Sequence, residues 1–394
     1  MSRELPPPPR TIIFREPRVG LPCENDVSSG TNYGVVSDAP PSRFFIANFA
    51  GIGNGICTVP LLRRLESTWP GARYYHTDNV LFRTPSLLFR TGLTGFAGTT
   101  PTAWRRFASA DWGAIRSFLE SHAIDVVINL RNEGPIRDSD YVAFQQAFAG
   151  TGPRFWQLDH ESVARRSPPR LLVDEQAAML TAHGAHSGAL DEHWLRPQSP
   201  LNRDRIVVGL FTGASQRIKR WPAPNWADLI HRLRVRGAAV VVFAGSTDEE
   251  AALASAAVAL SGADDVSLVM GRPLEELIVE FESLKLLVSN DTFAVHLAVA
   301  MELPVVGLYF ATDAAIWGGS GALFTAVASR YIERCDRFKL DAGNCTAYYD
   351  GCPAYCQEEI TPDRVFATVV RRLGLPDSHR TVPVPGERIP LPLI

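Results

Sequence analysis

No stretch of the 394 residues approaches the roughly 20 consecutive apolar residues that a membrane-spanning helix requires. The start, MSRELPPPPR, lacks the apolar segment of a secretory leader, so the expected location is the cytoplasm, and the two Asn-x-Thr sequons at Asn290 and Asn344 carry no weight. Net charge is nearly absent too. The 39 basic and 42 acidic residues leave a formal −3, which argues against nucleic acid as a partner and allows at most peripheral contact with a membrane. Closely spaced cysteine pairs are also missing. Of Cys23, Cys57, Cys335, Cys345, Cys352 and Cys356, the last four are separated by nine, six and three residues. Zinc sites contain closer pairs, so a loop packed by neutral thiols is expected ahead of a structural metal, and in a reducing compartment bridges are not expected.

What is present is the composition of a soluble globular protein, 46% hydrophobic and 21% charged, on a chain long enough for two domains. Residues 1–42, rich in Pro, Gly and Ser, read as an extension. From Phe44 the pattern alternates. Phe44–Phe49 is a short apolar run, Gly-rich residues follow, and Ile56, Val59, Leu62 and Leu65 mark one face of a helix to Thr68. Strands are expected at 72–77, 124–130 and 155–158, with helices near 111–122, 140–148 and 174–181. The segment from Arg196 to Arg205 reads as a linker. A second unit repeats the alternation, with strands at 206–211, 238–244, 266–270, 284–289 and 304–310. Its helices are expected at 226–236, 249–260, 274–282 and 292–301, and a last one starts at Thr361-Pro362. The expected organisation is a first unit (43–200), a second unit (206–360), a closing helix (361–373) and a tail (374–394), both units α/β with mostly parallel sheets.

Ligands of such sheets bind at the carboxyl ends of the strands, which selects three loops. Ala50-Gly51-Ile52-Gly53-Asn54-Gly55 lets a ligand approach the backbone at a helix amino end, yet Ile56 breaks the dinucleotide fingerprint. A tight turn without a ligand is the plain alternative. Thr212-Gly213-Ala214-Ser215, with Lys219-Arg220-Trp221-Pro222 just beyond, suits a pyrophosphate clamp. In Ser289-Asn290-Asp291-Thr292, polar residues cap a helix, and His296 shares a face with Thr292. A core histidine is the alternative for His296.

These three places, in this order, resemble the heptosyltransferase family of glycosyltransferases. The likeness rests on Gly51-Ile52-Gly53-Asn54 with Thr58-Val59-Pro60, on Thr212–Ser215 with Lys219–Pro222, on Ser289–His296, and on Pro304–Phe310 with Thr312-Asp313 and Trp317-Gly318. It covers roughly residues 44–372. The resemblance implies a GT-B fold, two Rossmann-like domains facing across a cleft, and inverting transfer from a nucleotide sugar, ADP-heptose above all, with no cofactor and no metal. By position it implies that Ser215 and Lys219, near Thr212, hold the diphosphate, and that Asp291, Thr292 and His296 hold donor phosphate or sugar. Gly245 with Asp248 and Glu249 would flank the ribose, and Met270 and Arg272 would lie near the base. The first domain, with Gly53 and Asn54, would take a glycan, lipopolysaccharide-core or small-molecule acceptor.

Two positions depart from the family pattern. Its presumed general base is an Asp where this chain has Asn54, and an amide does not accept a proton at neutral pH. Glu133, after the strand 124–130, is the expected replacement, ahead of Asp78, Asp138 and Asp140. Phe293 stands where the family has Gly and adds bulk beside the donor. Arg131 and Arg137 could meet an anionic acceptor. The rival readings are an NAD-dependent oxidoreductase, disfavoured by the broken fingerprint, and a non-catalytic sugar-nucleotide-binding protein, favoured by Asn54.

Overall fold

The computed structural model describes residues 40–48, 51–100, 112–130, 153–158, 168–197, 206–335, 345, 352 and 354–375. The extension, the helix expected at 140–148, most of the linker, the tail, and Arg131, Glu133, Arg137, Asp138 and Asp140 lie outside these residues.

Two parallel sheets organise the molecule. The first contains β1 (Arg43–Ala47), β2 (Arg73–His76), β3 (Phe96–Thr99), β4 (Val126–Asn129) and β5 (Arg154–Gln157), in the order β3-β2-β1-β4-β5. The second contains β6 (Val207–Phe211), β7 (Ala239–Ala244), β8 (Ser267–Met270), β9 (Leu286–Asn290), β10 (Val305–Tyr309) and β11 (Phe324–Ala328), in the order β11-β10-β9-β6-β7-β8. The central strands are apolar without alternation. Phe44 through Ala47, and Val126 through Ile128, are fully buried, the mark of a sheet covered on both faces. In each sheet the chain order reverses beside the first strand, between β1 and β4 and between β6 and β9. That reversal opens a crevice at the carboxyl ends.

The helices differ from expectation in informative ways. Helix α1 (Ile52–Thr68) starts four residues earlier than its apolar periodicity indicates, because the Gly-rich residues form its first turn. Asn79 fixes that start by donating its amide to Gly51 O at 2.9 Å. A Cβ at Gly55 would stand 2.5 Å from Asn79 Oδ1, so only glycine fits there. Three short elements were not legible. Helices α2 (Val80–Arg83) and α3 (Pro85–Thr91) and strand β3 are too brief for a periodicity to show. They are instead set by caps: Asn79 Oδ1 accepts from Leu81 N, Pro85 opens α3, and Gly92 at φ +68° ends it. The edge strand β11 was also missed. The other helices follow the expected positions within a few residues: α4 (Trp112–Ser121), α5 (Leu172–Ala182), α6 (Ala223–Val235), α7 (Asp248–Ser261), α8 (Leu274–Glu282) and α9 (Phe293–Ala300). After α9 come α10 (Ala314–Trp317), α11 (Tyr355–Glu358) and α12 (Pro362–Leu373).

One apolar cluster joins the two halves. Phe44, Val59 and Leu62 of the first belong to the same packed group as Phe211, Phe243, Val295 and Leu297 of the second. A separate cluster fills the other face of the second sheet, around Trp221, Trp226 and Ile230.

Pro60 lies inside α1, and its missing N–H leaves the carbonyl of Ile56 without an intrahelical donor. The buried indole of Trp194 supplies one, Nε1 donating to Ile56 O at 3.3 Å. Arg64 reinforces this wrap by donating to Ala177 O and Gly188 O. The segment after α5 is thereby strapped to the site-bearing helix. Trp194→Phe keeps an aromatic ring, though a smaller one, and leaves a buried carbonyl unsatisfied. It should cost about 1–3 kcal/mol, measured by urea unfolding. A loss below a few tenths would mean that the bond contributes nothing.

Candidate functional site

The first half of the site is the amino end of α1, directly after β1. Asn54 O accepts from Thr58 Oγ1 at 2.7 Å, and that hydroxyl in turn accepts from Asn48 Nδ2 at 2.7 Å. Asn48 is buried and is itself tied to β2 through Thr77. The Thr of the Thr-Val-Pro segment therefore holds the first turn of α1 against the end of β1. Gly53 faces the second half: a Cβ there would be 3.3 Å from Phe293 Cα and 3.4 Å from His296 Cδ2. The amino ends of α1 and α9 thus meet backbone to backbone. The Phe293 ring turns towards Phe211, edge-on with centroids 5.3 Å apart. The extra bulk at this position is taken up by packing against the end of β6.

The second half is built on the ends of β6 and β9. Asn290, fully buried, donates to Thr212 O at 2.7 Å and accepts from Trp221 N at 3.2 Å. It fastens the Thr212–Ser215 loop and the Lys219–Pro222 stretch to one strand end. Trp221 is anchored from the other side by donating Nε1 to Ile360 O at 2.8 Å. The short 3-10 turn Arg217–Lys219 then aims Lys219 inward. Lys219 Nζ meets Asp291 Oδ2 at 2.7 Å, and Thr312 Oγ1 donates to the same oxygen at 2.6 Å. Thr292 caps α9, its hydroxyl accepting from Ala294 N, and Ser289 Oγ lies 3.3 Å from the Thr292 hydroxyl.

His296 is one turn into α9. Burial pushes its imidazole below the ordinary range, Asp291 opposes that shift and Lys219 reinforces it. Burial thus favours the neutral ring, which offers one N–H and one lone pair. His296, Asn54, Cys57, Gln176 and Trp317 line one cavity between the two halves. The Cys57 thiol there is pushed up to about 12, by burial first and then by Glu192, so it is protonated and unreactive.

Beyond the Lys219–Asp291 centre, the expected residues spread along the crevice. Gly245 ends β7 beside Gly213, and both press on the carboxylate of Glu250: a Cβ on Gly245 would lie 2.3 Å from it and one on Gly213 2.6 Å. Glu250 is buried and closes a capping box with Thr247 at the start of α7. Glu249 instead reaches outward to Arg220 at 2.6 Å with its side chain 75% exposed, while Arg220 also donates to Ala214 O. Met270, exposed at the end of β8, offers an apolar ledge two strands from β6, and Arg272 pairs on the surface with Glu276. Asp78, one of the alternatives for the missing base, is buried and paired with Arg83 at 2.8 Å.

Four contributors were missed from the sequence: Asn290 as the fastener, Thr312 as the second donor to Asp291, Glu250, and the loop after α5. The first two had a signal, because both lie inside quoted motif segments. Burial first, then Cys345, Cys352 and Cys335 nearby, pushes the Cys356 thiol up to about 12. Among the described residues no group of three or more His, Cys, Asp or Glu is placed to hold a metal ion, and no helix is long and apolar enough to cross a membrane.

Comparison with known proteins agrees with this geometry. The glycosyltransferase family 9 (heptosyltransferase) model matches residues 171–343. Lipopolysaccharide heptosyltransferase 1 of Salmonella typhimurium is 32% identical over 134 residues, 34% of this chain and 40% of that protein. Lipopolysaccharide heptosyltransferase 3 of Escherichia coli is 21% identical over 286 residues, 67% of this chain and 82% of the relative. The match thus spans two fifths or less of the length of the first two curated relatives. Among solved structures, the E. coli heptosyltransferase WaaC with ADP superposes with a TM-score of 0.58 at 17% identity, covering 84% of this chain and 99% of that one. A Veillonella parvula family 9 glycosyl transferase reaches 0.59 at 15%, covering 84% and 97%. Residues 171–343 are thus similar to glycosyltransferase family 9, on a chain whose fold of two parallel sheets is that of the heptosyltransferase structures.

Proposed function

We propose that the chain is an inverting glycosyltransferase that moves a sugar, heptose from ADP-heptose, to a hydroxyl of a glycan, lipopolysaccharide-core or small-molecule acceptor. The observation that carries this reading is the Lys219–Asp291–Thr312 cluster at the capped start of α9, beside the Thr212–Ser215 loop and at the strand reversal of the second sheet. A half-buried ammonium and a capped helix amino end converge there, which is what a diphosphate leaving group needs. Ser215 and Lys219 hold the diphosphate, with Thr212 shaping the loop. Asp291 orients the ammonium, and Thr292 and neutral His296 contact donor phosphate or sugar. Gly245 and Glu249 border the ribose, and Met270 and Arg272 the base. Gly53 and Asn54 lie on the acceptor side, with Glu133 as a candidate base. A WaaC structure contains ADP, which supports adenosine as the nucleoside. Asn54 favours a second reading, a sugar-nucleotide-binding protein without turnover.

A thermal-shift series with ADP, GDP, UDP, dTDP and NAD should show ADP stabilising most, by about 2.7 kcal/mol at one hundred times its Kd. Stabilisation by NAD alone would overturn the reading. Lys219→Ala should weaken ADP binding by roughly 10- to 100-fold in calorimetry, the scale of one charge-assisted contact. Unchanged affinity would remove Lys219 from the clamp. Sugar release to an acceptor separates the enzyme from the pure binder.

A further inference from the structure

The proposed transfer needs a group to take the acceptor proton, and the first turn of α1 offers the amide of Asn54. The loop after α5 brings a carboxylate to the same space. Glu192 lines the cavity shared by Asn54 and His296. Three bonds set its place. Trp194 Nε1 donates to Ile56 O on α1, Leu195 N donates to Ala300 O at 2.9 Å, and His193 Nδ1 lies 2.7 Å from Val299 O at the end of α9. The loop is pinned to both helices whose amino ends form the site, and Glu192 is carried between them.

The surroundings suit a base more than a structural ion pair. Ser320 Oγ donates to Glu192 Oε1. Among the described residues no Lys or Arg is paired with this carboxylate, and the charged or titratable groups around it are Asp174 on α5, the adjoining His193, Cys57 on α1 and His296 of α9, which lines the same cavity. Burial first, then Asp174, raises its affinity for protons, while the Ser320 hydroxyl and His193 oppose this. A carboxylate raised in this way is a stronger base.

We propose that Glu192 is the general base of the transfer, in place of the acid missing at Asn54. This rests on the glycosyltransferase reading above. As the acceptor oxygen forms its bond to the anomeric carbon, its proton passes to the Glu192 carboxylate. The bond from that carbon to the donor phosphate breaks, and its electron pair leaves with the nucleoside diphosphate. Proton and charge balance without any further reactant.

The test compares wild type, Glu192→Gln, Glu133→Gln and Ser320→Ala in sugar transfer from ADP-heptose, with ADP affinity and Tm measured on each. Glu192→Gln should lower kcat by 100-fold or more, the usual weight of a general base, with ADP affinity and Tm held near wild type. Ser320→Ala removes a donor to the charged carboxylate, so the acid limb of kcat/KM should move to higher pH, a shift that a merely structural role would not produce. Should the Gln variant fail to fold, this limb carries the test alone. Near-normal turnover in Glu192→Gln, loss of turnover in Glu133→Gln alone, or an unmoved limb in Ser320→Ala would overturn the assignment and leave the glycosyltransferase reading standing. Wild type that binds no nucleoside diphosphate and transfers no sugar would overturn both.

Discussion

The contact between the amino ends of α1 and α9 is the constraint on which the site depends. Each helix leaves the central strand of its own sheet at the strand reversal, or beside it, so each start carries the loop where ligands of such sheets bind. Gly53 allows the two starts to touch, and the apolar cluster beneath them, from Val59 and Leu62 to Val295 and Leu297, keeps them in register. An interface this apolar resists free swinging of the halves more than a polar, wet one would. Whatever opening admits a ligand must separate groups near Asn54 and His296 while sparing that cluster.

Around this contact, polar side chains convert strand ends into fixed loops. Asn48 and Asn290 play matching parts in the two halves. Each is buried at the end of a central strand, and each spends its amide on the loop that follows or on its neighbour. A buried amide in this position costs desolvation unless it is fully bonded, so it specifies one loop conformation. The Lys219 ammonium is likewise presented by a loop whose path is set by Asn290 and by the Trp221 anchor.

Much of this was legible in the sequence, for a physical reason. Central parallel strands are buried on both faces and read as unbroken apolar runs, and the helices between them carry stop signals such as Gly237. The Lys219 and Asp291 segments stood out because polar residues after apolar runs have few structural uses. What escaped depended on the third dimension. The brief α2, α3 and β3 have no periodicity to read. Glu249 and Glu250 are adjacent acids; the capping box with Thr247 turns Glu250 inward, and the glycines at 213 and 245 leave room for its carboxylate. Pro60 announced a disturbed helix, but nothing local indicated that Trp194, 134 residues later, would supply the missing bond. Residues 131–152, where Glu133 falls, lie outside the described structure.

The ion pair of Lys219 with Asp291 has a kinetic meaning. On the proposed reading, the ammonium offered to a diphosphate is already paired with a resident carboxylate 2.7 Å away. That carboxylate is an internal competitor: an anion entering the clamp shares the cation and accepts repulsion from Asp291. Under that reading the resident carboxylate limits affinity for a spent nucleotide, because the pocket regains its own counter-ion as the product leaves. A clamp so arranged would favour release over tight retention.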